Sequence, residues 1–390
     1  MAAPQAEVDI NTIPYDAPLS FEEPSRAWCS AQSRKGAVRT RETLPAVDLA
    51  GKWIIISGAN NGIGREAALQ FAAWGANLIL ACRDPPPHET HPTTAVEECK
   101  ARAKEAGHAD TTIEWWVLDC ARLDSVEAFA RRWLDTGRAL DVLCNNAGMG
   151  SSPGGGSVFR TVDGFEIIHQ VNFLSHVLLT LRLLPSLAKA PAPRVVCTTS
   201  CFHYLGRFDL RNCNGELGQS GTEGVQYYQN NKLWFQVWLT ELQRRLLQHP
   251  QYRHITVQGV HPGYVNSGIW NLNNRLSWFS WLKELVVKTA AWLLAIDPQQ
   301  GSLAIINAAT QPVAGPDPDT QGVGEVGGKG GGRYFNRIWE ATPMPHTKDA
   351  DCRQRVWRKV NDELQLEKKG LLDILGLKYE EGNVKLKALL

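Results

Sequence analysis

One stretch constrains the fold of this chain more than any other: Trp53 to Ser57 (WIIIS), then Gly58-Ala59-Asn60-Asn61-Gly62-Ile63-Gly64, then Arg65 to Trp74 (REAALQFAAW). The first segment is a short apolar run and reads as a buried parallel strand, and the last has helical spacing with good helix formers. Three glycines therefore sit at a strand-to-helix turn. Gly58 permits the tight turn, Gly62 lets the backbone approach a pyrophosphate, and Gly64 lets the helix pack close to the strand while its N-terminal amides face the phosphates. Because glycine triplets also arise from turn chemistry alone, the reading depends on the strand before and the helix after.

Beyond this unit, strand-like runs near 53–57, 77–82, 112–118, 140–145, 194–200, 254–260 and 333–336 alternate with helical patterns. Such alternation demands an α/β fold: a single Rossmann-type, doubly wound parallel sheet of about seven strands with helices on both faces. Residues 1–48 carry proline, charge and little periodicity, and are expected to form an N-terminal arm that packs over the domain or is partly disordered. The main domain is expected over 49–345, followed by a charged helical tail over 346–390 that lies solvated against it. Asp84 to Thr93 (DPPPHETHPT) and the glycine-rich 314–332 read as surface loops.

Far downstream, Tyr228-Gln229-Asn230-Asn231-Lys232 places a phenol and an ammonium one helical turn apart. A free phenol has a pKa of about 10, and an ammonium within ~4–6 Å favours its ionised form by about 1–3 units, which makes Tyr228 a candidate acid and Lys232 its tuner. Tyr227 competes, but its i+4 residue is the uncharged Asn231. Ser200 ends the run RVVCTTS at the carboxyl edge of the sheet, where ligands bind in open α/β folds, and alternation turns Thr199 to the other face. Asn172 stands in an apolar helical pattern, where its amide is costly without partners. Asn145 closes the fourth strand toward the cofactor edge, and Ala147 and Gly148 allow close approach there.

The spacing Gly-x-x-x-Gly-x-Gly, with Asn145-Asn146-Ala147-Gly148 and Tyr-x-x-x-Lys, resembles the short-chain dehydrogenase/reductase family over about residues 50–340. The stretch Arg194 to Arg207 and His261-Pro262-Gly263 are similar to its retinol-dehydrogenase-like branch. The resemblance implies that Ser200 orients a substrate oxygen, that Tyr228 and Lys232 exchange its proton and touch the cofactor, and that Asn172 helps hold a water relaying protons from the lysine. It further implies cofactor contacts at Gly58, Asn60, Asn61, Gly62, Ile63, Gly64, Asp119, Pro262 and Gly263. Where the family often carries threonine after Pro-Gly this chain has Asn266-Ser267, so Ser267 is the substitute hydroxyl. His261 reads as structural.

Cofactor choice turns on the second strand, which ends Leu80-Ala81-Cys82-Arg83-Asp84. Cys82 stands where NAD-binding members carry aspartate, and Arg83 and Arg65 offer cations to a 2′-phosphate, so NADP(H) is expected, with Asp84 the residue able to overturn that. Between 264 and 296, Trp270, Trp278, Phe279, Trp281, Leu285 and Trp292 suggest a lid for an apolar small-molecule substrate, a core helix, or a helix touching membrane.

Composition narrows the remaining classes. A formal net charge of +1 gives no field for nucleic acid. Nine cysteines lack Cys-x-x-Cys spacing and read as reduced core residues, with no metal site. The N-terminus has early acidic residues and no apolar segment, and no uncharged run approaches the roughly 18–20 residues of a membrane span, Trp278 to Ile296 being broken by Lys283, Glu284 and Lys288. A cytoplasmic protein is expected, peripheral membrane contact and a homo-oligomer both remaining open. The function expected is an NADP(H)-dependent ketone or aldehyde reductase, or alcohol dehydrogenase, on an apolar metabolite of specialised metabolism. A retinoid- or steroid-type dehydrogenase is the alternative, and a cofactor-binding regulatory or scaffold protein the alternative of another class.

Overall fold

The structure, a computed structural model, describes residues 13–87, 89–150, 158–216, 223–265, 295–316 and 329–375. After a helix α1 (Arg26–Arg34) the chain runs β1 (Trp53–Ser57), α2 (Gly62–Ala73), β2 (Asn77–Cys82), α3 (Pro92–Glu105), β3 (Ile113–Val117), α4 (Leu123–Asp135), β4 (Val142–Asn145) and α5 (Ile167–Leu187). It continues with β5 (Arg194–Thr198), α6 (Glu223–Gln248), β6 (Thr256–His261), α7 (Pro298–Thr310), β7 (Tyr334–Asn336), β8 (Trp339–Ala341) and α8 (Ala350–Leu364).

The eight strands form one sheet in the order β3-β2-β1-β4-β5-β6-β7-β8, parallel except for β8. All seven expected strands are present; β8 was not expected, being three residues paired back onto β7 through a turn at Arg337, φ 55°. Alternation explains the two layers. Ile54 and Ile56 of β1 face a cluster with Ala67 and Phe71 of α2 and Leu303 and Ile306 of α7, whereas Ile55 faces the other cluster with Val177 of α5 and Leu239 of α6. Both faces are thus covered by helices, as all-apolar strands require. Because β1 pairs with β2 on one side and β4 on the other, the order reverses at β1, and a crevice opens beyond the carboxyl ends of β1 and β4.

The tail departs from expectation. α8 is helical but not solvated: Val356, Trp357, Val360 and Leu364 are buried, and Trp357 stacks on Trp238 of α6 at 6.2 Å. Its charges are matched inside: the Arg353 guanidinium reaches Glu241 at 3.2 Å, and Glu363 meets His169 of α5 at 2.9 Å. The arm is packed as well. Tyr15 donates to Asp362 at 2.6 Å, Arg355 donates to the Ala17 carbonyl at 2.8 Å, and Arg337 holds the Thr40 carbonyl at 2.7 Å.

Among the described residues one helix, α5, is long and apolar enough by composition to cross a membrane, and its apolar window is 83% buried, as befits a core helix; most of 278–296 lies outside the described residues. The described cysteines are all free and buried. Of the 314–332 loop both described ends are pinned by one side chain, Gln258 donating to the Ala314 carbonyl at 3.0 Å and the Gly330 carbonyl at 2.7 Å.

Candidate active site

The glycine turn has the geometry its sequence implies. Gly58 and Gly62 adopt φ of +67° and +57°, a region that side chains strain. A Cβ on Gly64 would lie 2.3 Å from the Gly58 carbonyl oxygen and 2.5 Å from Asn146 Nδ2, so only glycine lets α2 start this close to β1. Asn61 makes no side-chain cap, leaving the first amides of α2 turned to the crevice. Ser57 Oγ accepts from the amides of Asn146 and Ala147 at 2.9 and 3.0 Å, and Asn146 Nδ2 donates to the Ser57 carbonyl at 2.9 Å. These residues fit a dinucleotide: an uncapped helix N-terminus, a cradle with no room for a side chain, and a rigid floor. Ile63 is half-buried at the start of α2.

On the opposite side of the crevice Ser200 follows β5 and caps a short 3₁₀ turn, its Oγ accepting from Phe202 N at 3.1 Å. Tyr228 and Lys232 project from α6, both buried, and the Tyr228 and Ser200 hydroxyls share a hydrogen bond. Lys232 Nζ donates to the Thr198 carbonyl at 2.7 Å and lies 5.5 Å from the centroid of the Tyr228 ring. The structure thus brings the three together. It corrects their electrostatics, however. Burial pushes the Tyr228 phenol above its ordinary value, the Ser200 bond offsetting only part, while burial pushes Lys232 down to about 8. Desolvation here outweighs the lowering expected from the ammonium, and Tyr228 is held protonated.

The other expected residues divide. Asn172 lies in a π turn (Gln170–Leu174) of α5; its Oδ1 accepts from Met149 N and its Nδ2 donates to the Met149 carbonyl, both at 2.8 Å, so its amide is satisfied. Gly148 packs on it, a Cβ there falling 3.2 Å from Asn172 Oδ1. The Asn145 side chain turns into the interior, Nδ2 donating to Thr180 Oγ1 at 2.7 Å, and its neighbour Asn146 makes the contacts to the glycine turn. Arg65 is committed to Glu98 and Glu66, each at 2.7 Å. Arg83 is 54% exposed and pairs with Glu89 at 2.6 Å, and Asn60 Nδ2 donates to the Thr90 carbonyl at 2.9 Å. The carboxylate of Asp119 accepts from Ala121 N at 2.9 Å within its own loop. Pro262 and Gly263, the latter at φ +95°, turn the chain at the edge of β6. Ser267 and the tryptophans of 270–292 lie outside the described residues.

Several residues were not anticipated. Met149 and Phe202 pack on the Tyr227–Tyr228 cluster, and Phe202 stands edge-on to both Tyr228 and Tyr264 at 6.1 and 5.9 Å, giving Tyr228 an apolar surround. The arm backs this wall: Ser33 Oγ reaches Cys201 Sγ at 3.8 Å, and a Cβ on Gly36 would lie 2.6 Å from His261 Nε2. Nothing in the arm's weak periodicity signalled that contact. His203 Nδ1 donates to the Ser200 carbonyl at 2.6 Å, and His176 Nε2 to the Ala147 carbonyl at 2.7 Å. His169, Cys213 and Glu363 also cluster within 4.8 Å, but both His169 nitrogens and both Glu363 oxygens already hold protein partners.

Comparison with known proteins agrees with this geometry. Residues 52–208 match the short chain dehydrogenase family. The chain is 31% identical over 326 residues to retinol dehydrogenase 13 of Homo sapiens, covering 83% of this chain and 86% of that one. It is 31% identical over 311 residues to polyprenol dehydrogenase of Mus musculus, covering 79% and 82%. Among solved structures, an uncharacterized protein from Mycobacterium Paratuberculosis superposes with a TM-score of 0.56 at 28% identity, covering 84% of this chain and 98% of that one. A glycine cradle facing a buried serine, tyrosine and lysine, on a chain related this closely over most of its length, leaves one conclusion: the chain belongs to the short-chain dehydrogenase/reductase family, in its retinol-dehydrogenase-like branch, oxidoreductases that act on CH–OH and C=O groups with a nicotinamide dinucleotide.

Proposed function

We propose that this protein interconverts an alcohol and its aldehyde or ketone on an apolar substrate with NADP(H). The observation that carries the reading is the Ser200–Tyr228 hydrogen bond at the carboxyl edge of β5, with Lys232 one turn along α6. When bound, the dinucleotide supplies or accepts the hydride. With substrate bound, Ser200 Oγ, steadied by Phe202 N, turns its hydroxyl from Tyr228 to the substrate oxygen, and Tyr228, held protonated by burial, gives that oxygen its proton. Lys232, near pKa 8 and tied to the β5 carbonyl, is the group that replenishes it. Asn172 fixes Met149 beneath the site, and its π turn is the irregular backbone through which a proton path from Lys232 would run.

NADP(H) is favoured over NAD(H) because no carboxylate closes β2. Cys82 stands there instead, its thiol accepting from Ala59 N at 3.2 Å and pushed up to about 11 by burial, hence neutral. Asp84, the residue that could reverse this, is turned toward His91 at 3.7 Å, while the exposed Arg83 stands between Cys82 and Asp84 in sequence. The apolar surround of Met149, Phe202 and Tyr264 supports an apolar substrate, and the names of the relatives, retinol and polyprenol dehydrogenases, favour a long isoprenoid-type alcohol over a specialised metabolite. The retained Ser200, Tyr228 and Lys232 argue against a scaffold role. A cytoplasmic protein in peripheral contact with membrane agrees with such a substrate. The test is titration with NADPH and NADH followed by turnover of alcohols, aldehydes and ketones of graded chain length. Tighter NADPH binding and rates rising with apolar length are expected; equal affinity, or preference for short polar substrates, refutes the respective half.

A further inference from the structure

The proline-rich insert Asp84 to Thr93 is laced back onto the cofactor end of the sheet. Asn60 of the glycine turn holds the Thr90 carbonyl at 2.9 Å, Glu89 N donates to the Pro86 carbonyl at 2.9 Å, and His91 packs edge-on to Trp115 at 4.8 Å. This folding seats the Glu89 carboxylate on Arg83, at 2.6 Å, while Arg65 is occupied by Glu98 and Glu66. Of the two arginines, Arg83 is the more exposed and holds a single carboxylate, so it is the one placed at the end of β2 to receive a phosphate, and that carboxylate comes from the chain itself.

Resting on the NADP(H) reading above, we infer that Glu89 is an internal competitor for the cofactor's 2′-phosphate and sets the affinity and selectivity of the adenosine end. The chemistry is an exchange of anions on one guanidinium. A carboxylate carries one charge and a phosphate monoester nearly two at pH 7, with a third acceptor oxygen, so the phosphate displaces Glu89 but binds more weakly than it would to an unpaired arginine. The pair is half-exposed, and exposed pairs are worth at most about 1 kcal/mol, so the competition is worth up to about fivefold in affinity.

The test uses calorimetric titration of the whole protein with 2′,5′-ADP and with 5′-ADP, which probe this end alone. Glu89→Gln is expected to tighten 2′,5′-ADP about three- to fivefold and to leave 5′-ADP within about twofold. In an Arg83→Ala background the same substitution is expected to have no such effect. Unchanged 2′,5′-ADP affinity, equal tightening of 5′-ADP, or the same gain without Arg83 overturns the inference. A distinct result, Arg83→Ala binding 2′,5′-ADP as well as wild type, overturns the NADP(H) reading beneath it.

Discussion

Lowering the pH from 7.5 to 5 is predicted to unfold this protein, starting from the walls of its site. His176, His203, His261 and His346 are buried, and burial pushes their pKa values down to about 4, 4, 3 and 4. Three of them hold the site: His176 binds the Ala147 carbonyl, His203 donates to the Ser200 carbonyl while its Nε2 accepts from Met344 N at 3.3 Å, and His261 precedes Pro262. A folded value below the unfolded value of about 6.5 means that the unfolded chain binds more protons. Stability from these groups is therefore present above pH 6.5 and lost as pH falls toward 4. At pH 5 each costs about 2 kcal/mol, together about 8 kcal/mol, against a total stability of roughly 5–15 kcal/mol. His169, raised by Glu363, works the other way, but is one against four. Urea unfolding followed by tryptophan fluorescence should show stability falling by about 5 kcal/mol per pH unit near pH 5.3. His346→Phe, which keeps a ring between Phe21 and Phe208, should remove about a quarter of that slope. A slope below about 1.4 kcal/mol per pH unit, one proton's worth, refutes the reasoning.

The buried pair of Glu363 and His169 should behave in the opposite sense. Glu363→Ala is expected to cost ~3–5 kcal/mol, and because Glu363 is lowered and His169 raised, the deficit should be largest between about pH 4.5 and 6.5 and shrink as pH rises through the folded His169 value; a deficit constant from pH 5.5 to 9 counts against the pair. Gly64→Ala should weaken NADPH at least ~10-fold and cost ~1–3 kcal/mol, since its methyl meets the Gly58 carbonyl, which cannot swing away; unaltered affinity and melting temperature would show the cradle looser than described. Arg83→Asp should reverse the proposed preference for NADPH over NADH by replacing attraction with repulsion, and a surviving preference would place the 2′-phosphate elsewhere.

The sheet was legible because its strands are continuous apolar runs separated by helical periodicity, and burial on both faces leaves that pattern little choice. β8 was not, since Trp339-Glu340-Ala341 is too short to show any period. The tail was misjudged for a physical reason: WRKVNDELQLEKK reads as charged and solvent-facing, but Glu363 is answered by His169, Asp362 by Tyr15 and Lys369 by Glu127, residues far away in sequence. Long-range pairing likewise hid the commitment of Arg65 to Glu98, and the role of Asn146 beside the more conspicuous Asn145. That Ser200, Tyr228 and Lys232 come together was legible because helical geometry and strand position fix where they point. The protonation of Tyr228 could not, because it depends on how deeply α6 is buried.

The central claim is that Tyr228 transfers the substrate's proton in a nicotinamide-dependent interconversion of alcohol and carbonyl. The most direct measurement pairs NADPH titration with single-turnover kinetics on Tyr228→Phe, a change that removes one hydroxyl from a packed ring. The account predicts NADPH affinity within about twofold of wild type and a chemical step slowed at least ~10²-fold. A mutant that binds NADPH and turns over at the wild-type rate would contradict it.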